Sequence, residues 1–191
     1  MGSTLTVDNI KDSGDNTLVS STGSGHTIAS GVNLASATFP AGMLLNIVST
    51  TKKDWQQMGA AYTETAITGL TCTITPKSTS SKIYITGHVS IGHPVNTAWS
   101  YITIFRDSTK IGQGDAYDAS QRGHSATDMR AYAIRSLPIN YMDSPNTTSA
   151  ITYSIKHGSG SANARINRDG EAGGTNHAGG VSTLTVMEIV G

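Results

Sequence analysis

Six histidines and several closely spaced acids are the side chains of this sequence that could bind a metal. His88 and His93 lie in a stretch where Ile91-Gly-His-Pro94 is typical of a strand end or loop rather than a ligand-presenting helix. No spacing of Cys, His and Asp resembles a metal signature, so we predict no intrachain metal and no other cofactor. In a threefold assembly a metal site between chains would become possible, since one histidine from each chain then supplies three ligands.

Two carboxylate pairs are candidates for hydrolysis, namely Asp115 with Asp118 and Asp128 with Glu171. A glycosidase needs two carboxylates that face each other across a sugar, which neighbouring loop acids do not establish. The sequence also lacks a Gly-x-Ser-x-Gly elbow and a Gly-rich phosphate loop that opens a helix. We therefore predict that the chain is not an enzyme.

Polar and aromatic side chains collect in the segment Gly112–Asp128, which shows no clear strand period. Such a mixture suits the recognition of a saccharide or a polar epitope, and the alternative is a solvated loop surface. The loop Pro94–Trp99 adds the side-chain amide of Asn96. Trp99 itself begins a strand and is interpreted as a core residue. The candidate receptor-binding residues are Asn96, Gln113, Asp115, Tyr117, Asp118, Gln121, Arg122 and His124.

Strands must position these loops, because the composition favours strands and tight turns over helices. Apolar residues make up 37% and charged residues 14%, while Gly, Ser and Thr are abundant. The stretch 129–156 predicts strand, sharp turn, strand, with the turn at Asp143-Ser-Pro-Asn146, since Pro145 interrupts any helix. A tight hairpin is predicted around Asp107–Thr109, and no stretch shows a helical period.

Roughly eight strands are predicted after the first forty residues, at the spacing that a sandwich or barrel requires. Besides the pair around Pro145, they are residues 43–50, 66–74, 82–90, 99–106, 110–111, 164–167 and 182–189.

The charge balance and the single cysteine exclude further classes of protein. With 13 basic and 13 acidic residues and no run of like charge, no basic patch for nucleic acid is expected. Cys72 has no cysteine partner within the chain and is interpreted as a small buried hydrophobe. No apolar run approaches the roughly 18 residues of a membrane span, and the start lacks the pattern of a signal peptide. We expect a soluble chain, made in a cytoplasm and not inserted in a membrane.

Residues 1–41 differ from residues 42–191, which form the predicted globular head. The first segment contains short β-like pieces, each with too few apolar side chains to bury a core. It can become ordered by sharing those side chains with sister chains or with a socket on another protein, and the alternative is a flexible tail. The joint is predicted at Phe39-Pro-Ala-Gly42.

The last predicted strand is apolar on both faces. In an antiparallel fold, such a strand is either central or covered on its outer side, and a neighbouring subunit is one such cover. The candidate trimer-interface residues are Leu184, Val186, Met187 and Ile189.

The order of several short phrases resembles the distal fibre proteins of tailed bacteriophages, above all phages of marine and freshwater bacteria such as cyanobacteria. The resemblance covers nearly the whole chain. The phrases are Ser3–Ile10, His26–Ile28, Phe39–Met43, Ser80–Ile85, Ile104–Asp107, Tyr141–Pro145, Thr147–Ile155 and Leu184–Ile189.

This resemblance implies a jelly-roll head of the C1q and tumour-necrosis-factor type, preceded by a short β-rich shaft or attachment segment. Three copies would surround a threefold axis with the last strand near it, and another virion protein would hold residues 1–40. The implied function is attachment of the virion, through a tail fibre or other external appendage, to a host surface glycan or outer-membrane component. The alternative is a structural component, such as a capsid decoration, head fibre or baseplate part, without host binding. The family supplies no catalytic residues, and its receptor loops vary too much to transfer.

Overall fold

The computed structural model describes residues 9–11, 13–15, 17–21, 26–28, 40–59, 61–96, 98–115, 123–170 and 178–191. Every helix or strand in this part of the chain is a β-strand, which confirms the predicted all-β class. The chain divides into two units, Met1–Phe39 and Pro40–Gly191, and the division falls inside the predicted joint.

Three short strands form the described part of the first unit. They are β1 (Asn9–Lys11), β2 (Thr17–Ser21) and β3 (His26–Ile28), which pair antiparallel in that order. Ile10 of β1 is half exposed, so the described part of this unit does not enclose it.

Eleven strands lie in the described part of the second unit, which we call the head. They are β4 (Leu44–Lys52), β5 (Gln56–Gln57), β6 (Thr65–Ile74), β7 (Lys82–Gly92), β8 (Ala98–Arg106), β9 (Thr109–Ile111), β10 (Ser125–Met129), β11 (Ile134–Asp143), β12 (Ile151–Ser159), β13 (Arg165–Ile166) and β14 (Ser182–Ile189).

These strands form a sandwich of two sheets. In the six-stranded sheet, β4, β14, β7 and β11 lie side by side, and β13 and β5 extend it beside the end of β7. In the five-stranded sheet, β6, β12, β8 and β10 lie side by side, and β9 pairs with β8. The pairs are nested along the chain, β4 with β14, β6 with β12, β7 with β11 and β8 with β10. Such nesting across two antiparallel sheets is a jelly roll, which confirms the predicted fold.

Alternating side chains from both sheets fill the core between them. On β14, Leu184 and Val186 are fully buried, whereas their neighbours Thr185 and Met187 are only partly so. On β8 of the opposite sheet, Ile102 and Ile104 belong to the same core. Each strand therefore has one face in the core and one outer face, as a period of two residues requires.

The strands on either side of Pro145 are correctly predicted, but the sharp turn between them is wrong. β11 pairs with β7, whereas β12 pairs with β6 and β8, so residues 144–150 cross from one sheet to the other. Pro145 cannot donate to a strand ladder, and Asn146 adopts a φ of 54°. The side chain of Asp143 meanwhile reaches Arg106 and Tyr153 of the facing sheet, which fixes the crossing.

The five-residue strand β10 is missing from the sequence prediction, as is the two-residue β5. Residues Ser125–Met129, taken as part of a polar loop, form β10 and pair along β8 at the edge of the five-stranded sheet. Only Met129 of this strand is buried, because an edge strand has few core contacts. Its alternation of apolar and polar residues is correspondingly weak.

The strand directions divide the loops of the head between two ends. The chain enters at Pro40, beside the last residues, where Gly42 N–H donates to Val190 O over 2.8 Å. We call this the entry end, and it also holds the connections from β6 to β7 and from β11 to β12. The connections that leave β4, β7, β10 and β12 lie at the opposite end, which we call the loop end.

Candidate binding surfaces of the head

Four of the eight predicted receptor-binding residues lie in the described part of the chain. Tyr117, Asp118, Gln121 and Arg122 lie outside it, as does Glu171. Asn96 is exposed at the loop end, where its Oδ1 accepts a hydrogen bond from Ala131 N–H over 3.0 Å. This contact joins the connection after β7 to the connection after β10.

The other three described residues, Gln113, Asp115 and His124, lie between β9 and β10. Asp115 is exposed and Gln113 is partly buried. Asn96 lies in a different connection from these three residues, and a receptor site formed by the whole set stays a prediction.

His124 has a structural role in this region. Its Nδ1 donates to Gly112 O over 3.0 Å, and its Nε2 accepts from Asn140 N–H over 3.1 Å. Its ring also meets Tyr141 edge-on at a centroid distance of 6.2 Å. The imidazole therefore closes the base of the loop between β9 and β10 and covers a free amide of the edge strand β11. Both ring nitrogens are used within the head, so His124 holds this loop in place, and its receptor contact stays a prediction.

The four predicted trimer-interface residues divide between the two faces of β14. Leu184 and Val186 are fully buried in the core of their own chain and present no surface to a partner. They are thus corrected from interface candidates to core residues. Met187 and Ile189 lie on the outer face and are partly exposed. The strand is central, between β4 and β7, which was one of the two explanations for its apolar faces.

Apolar side chains form a continuous row across the outer face of the six-stranded sheet. Met187 of β14 lies opposite Ile47 of β4 on one side and Tyr84 of β7 on the other, and Tyr84 lies opposite Met142 of β11. Ile47 is 53% exposed and Met142 is 48% exposed. We call Ile47, Met187, Tyr84 and Met142 the apolar row. Cross-strand neighbours of this kind are close enough to present one joint surface.

The apolar row lies towards the entry end of this sheet face. Leu44, at the start of β4, is also half exposed and pairs with Ile189. Towards the loop end the same face becomes polar, where Ser49 Oγ and Thr185 Oγ1 share a hydrogen bond of 2.8 Å. The outer face is therefore apolar only near the point where the chain enters.

Aromatic side chains mark the outer face of the other sheet, at the loop end. Trp99 of β8 stacks beside Tyr101 at a centroid distance of 5.8 Å, with planes 28° apart. Tyr62, from the connection before β6, meets Trp99 edge-on at 5.8 Å. Tyr62 is 65% exposed and Trp99 is 37% exposed, whereas Tyr101 is buried. We call Tyr62, Trp99 and Tyr101 the aromatic ledge.

A charged cluster supports the buried end of the aromatic ledge. Glu64 accepts hydrogen bonds from Thr103 Oγ1 over 2.9 Å and from Lys110 Nζ over 2.7 Å. Burial, together with this carboxylate and its hydrogen bond, raises the pKa of Tyr101 to about 12. The Tyr101 hydroxyl therefore stays protonated and holds its ring in place.

A cavity of about 660 Å³ lies beside Trp55 at the loop end. Arg168 lies over the Trp55 ring, with 5.0 Å between its guanidinium carbon and the ring centroid. The amide of Asn167 donates to the carbonyls of Lys52 and Asp54, which fixes the turn after β4. The cavity thus has a rigid polar wall and an exposed indole.

Two buried histidines lie in the core near the loop end. His93 accepts from Val95 N–H at Nδ1 over 3.2 Å, and its Nε2 lies 3.4 Å from Ser161 O. His157 is 2% exposed, and burial with the nearby His93 lowers its pKa to about 4. Within the described ranges, no three His, Cys, Asp or Glu side chains are grouped to hold a metal. In the same part of the chain, no helix has the length and apolarity to cross a membrane.

Trp99 is partly exposed rather than in the core as predicted, and the exposed Tyr62 and Trp55 are not among the predicted site residues. The pattern on β8 contains the missing signal, since Ile102 and Ile104 alternate with Tyr101, Thr103 and Phe105. One face of this strand is therefore aliphatic and the other is aromatic and polar. Period-two alternation places Trp99 on the second face, away from the core.

Comparisons with known proteins add a distant likeness to viral capsid structures. No family model and no curated protein matches the chain. The structure of infectious bursal disease virus Gt strain has a TM-score of 0.46 and 10% identity over 79% of this chain and 39% of that chain. The infectious bursal disease virus VP2 subviral particle has a TM-score of 0.46 and 16% identity over 76% of this chain and 33% of that chain. This chain thus spans well under half of those viral chains, and at these values the likeness carries no inference about function.

Proposed function

We propose that this chain is a fibre protein of a tailed bacteriophage that forms a homotrimer and attaches the virion to the host surface by non-covalent contacts. In this proposal it belongs to the tail or another external appendage, and another virion protein holds residues 1–40. The host component is a surface glycan or an outer-membrane component. Support comes from the order of fibre-like phrases in the sequence and from the two exposed surfaces of the jelly-roll head.

The apolar row is the single observation that carries the trimer. It spans four neighbouring strands, and two of its members are about half exposed, namely Ile47 and Met142. Contiguous exposed apolar surface of this kind is typical of a protein contact. Closing three such faces around an axis would bury the row and supply apolar burial that a chain with 37% apolar residues otherwise lacks.

In this proposal the two ends of the head have different roles, subunit contact at the entry end and adhesion at the loop end. The apolar row lies towards the entry end, where Pro40 joins the head, while the exposed Tyr62, Trp99 and Tyr132 lie at the opposite end. The exposed aromatic residues are therefore at the end of the head opposite to Pro40 and to the apolar row. Three copies of a weak site would then gain avidity without tight binding at each one.

Sedimentation equilibrium of the full chain at micromolar concentration tests the assembly. We expect a trimer for the natural sequence and monomers for Ile47→Lys, because a buried ammonium without a partner opposes subunit contact. Thr73→Lys is the matched control, since Thr73 is exposed on the outer face of the other sheet and should leave the trimer intact. A monomeric natural chain would remove the basis of the proposal, and a trimeric Ile47→Lys variant would move the contact to another face.

Binding to bacteria tests the adhesion and separates it from a purely structural role. The labelled full chain should bind susceptible cells or purified lipopolysaccharide in the absence of other virion proteins. A capsid decoration or baseplate component would instead bind only to virions. Binding to virions alone would therefore replace the adhesion proposal with the structural one.

A further inference from the structure

The rings of the aromatic ledge lie flat because the neighbouring strand has glycines beneath them. An added Cβ at Gly160 would lie 2.5 Å from the indole Nε1 of Trp99, and one at Gly158 would lie 2.3 Å from Cζ of Tyr101. Any larger residue at either position would push a ring off the sheet. The glycines thus let both rings lie close to the backbone of this segment, while Trp99 keeps 37% of its surface exposed.

The exposed Trp99 indole has an aromatic residue on one side and a polar residue on the other. Tyr62 N–H donates to Ser159 O over 2.8 Å, which fixes the Tyr62 backbone above the end of β12. On the opposite side, the strand register places the exposed Asp128 of β10 directly beside Trp99 and the small Ala126 beside Tyr101. The result is a shallow aromatic step with a phenol ring at one border and a free carboxylate at the other.

From this geometry we infer that the aromatic ledge is a saccharide subsite that takes the pyranose ring of a neutral or amino sugar. The apolar C–H face of the sugar packs on the Trp99 indole, Tyr62 borders it, and the Asp128 carboxylate accepts hydrogen bonds from its hydroxyl groups. The inference rests on the proposed function, since it names the host component as a glycan and gives its position on the head.

The chemistry of the ledge favours this occupant over an acidic sugar or a protein surface. A carboxylate beside the indole repels uronic and other acidic sugars, whereas it attracts hydroxyl or ammonium groups. Aromatic rings next to a few fixed polar groups are typical of small-ligand sites. The exposed part is confined to two rings, unlike the apolar row, which extends over four strands.

The chain offers a direct optical test, because it contains only two tryptophans. In the full-length Trp55→Phe variant, Trp99 becomes the sole indole. Its fluorescence is titrated with the methyl pyranosides of glucose, galactose, mannose and N-acetylglucosamine, and with glucuronic acid. We expect a saturable change with at least one of the four neutral sugars and none with the acid. No change with any of the four would overturn the inference.

Calorimetric titration of the sugar found in that experiment compares further variants of the full chain. Tyr62→Ala and Asp128→Asn should each weaken binding roughly tenfold, as loss of one stacking or hydrogen-bonding partner predicts. Tyr132→Ala is the matched control, since Tyr132 is equally exposed at the loop end and should leave the affinity unchanged. Trp99→Ala should abolish binding. If the Trp99→Ala variant fails to fold, the Tyr62→Ala variant still provides the test.

Cell binding separates failure of this inference from failure of the proposed function. If Tyr62→Ala and Asp128→Asn bind cells as well as the natural chain, the ledge is not the receptor site, although adhesion stands. If the natural chain binds no cells, adhesion itself is wrong. If the ledge variants change the sedimentation mass, the ledge is a subunit contact and the saccharide inference is wrong.

Discussion

Two buried polar clusters of the head, one near each end, are bonded in opposite ways. At the entry end, Arg106 Nη1 lies 3.1 Å from both carboxylate oxygens of Asp143, and the Tyr153 hydroxyl donates to the same carboxylate over 2.8 Å. At the loop end, His93 and His157 are buried near each other, and His157 Nε2 has no hydrogen-bond partner among the described residues. The Asp143 cluster is charged and paired, whereas the histidine pair is neutral and incompletely bonded.

This difference predicts that the two clusters contribute to stability in different ways. A buried carboxylate with several donors is costly to remove, so the entry end holds the crossing from β11 to β12 firmly. A buried imidazole without a partner contributes no such restraint, and it becomes unfavourable when it gains a proton. We therefore expect the entry end to depend on intact partners and the loop end to depend on pH.

Loss of the Asp143 carboxylate should have the largest effect. Asp143→Ala would leave Arg106, the Tyr153 hydroxyl and Ser144 N–H without their shared acceptor. We expect the free energy of unfolding to fall by about 3 kcal/mol, as for other buried pairs that lose one partner. Urea unfolding followed by circular dichroism measures this change.

Two further variants calibrate the Asp143 result. Tyr153→Phe removes only one of the donors and should cost about 1 kcal/mol. Asp15→Ala removes a partner of Lys11 in an exposed ion pair of the first unit and should leave the unfolding of the head unchanged. Equal urea midpoints for Asp143→Ala and the natural chain would show that the entry end is not held by this cluster.

Acid should weaken the loop end through His157. Its pKa is about 4 in the folded chain, against an ordinary value of 6.5. The folded state therefore binds fewer protons than the unfolded state, so stability is fully present above pH 6.5 and is lost as the pH falls towards 4. We expect a loss of about 3 kcal/mol over this interval from His157 alone.

Urea unfolding of the natural chain and of His157→Leu at pH 7.5, 5.5 and 4.5 isolates this contribution. The leucine cannot be protonated, so the variant should lose less stability than the natural chain between the first and last pH. A residual loss is expected, because burial also lowers the pKa of His93. Parallel losses in both proteins would mean that His157 is not the group that responds.

The parts of the fold that depend on local pattern could be predicted from the sequence. The strand 182–189 has the predicted bounds, because its Thr, Val and Ile residues favour a strand and Gly179-Gly180 lies before it. The crossing at Pro145 could not be predicted, since a turn between two strands gives the same local signal whether or not they pair. The partner of each strand depends on long-range contacts, such as that of Asp143 with Arg106.

The candidate surfaces were harder to predict because they combine residues that are distant in sequence. Tyr62 lies in the connection before β6 and Trp99 lies in β8, and the two meet only because β12 lies between β6 and β8. The glycines that flatten the rings, Gly158 and Gly160, suggest only a loop when they are considered alone. Polar composition indicated the segment Gly112–Asp128, but composition does not show which residues hold the loop in place, as His124 does.

The reactivity of Cys72 should show whether the two ends open together. Cys72 lies near the entry end of β6, is 2% exposed, and has a pKa raised by burial, so it should be unreactive in the folded head. If acid opens only the loop end, 4,4′-dithiodipyridine should modify Cys72 as slowly at pH 4.5 as at pH 7.5, and His157→Leu should match the natural chain. If the natural chain reacts much faster at pH 4.5 while His157→Leu does not, protonation at the loop end unfolds the whole sandwich. The head would then be one cooperative unit, and the contrast between its ends would concern only where the proton binds.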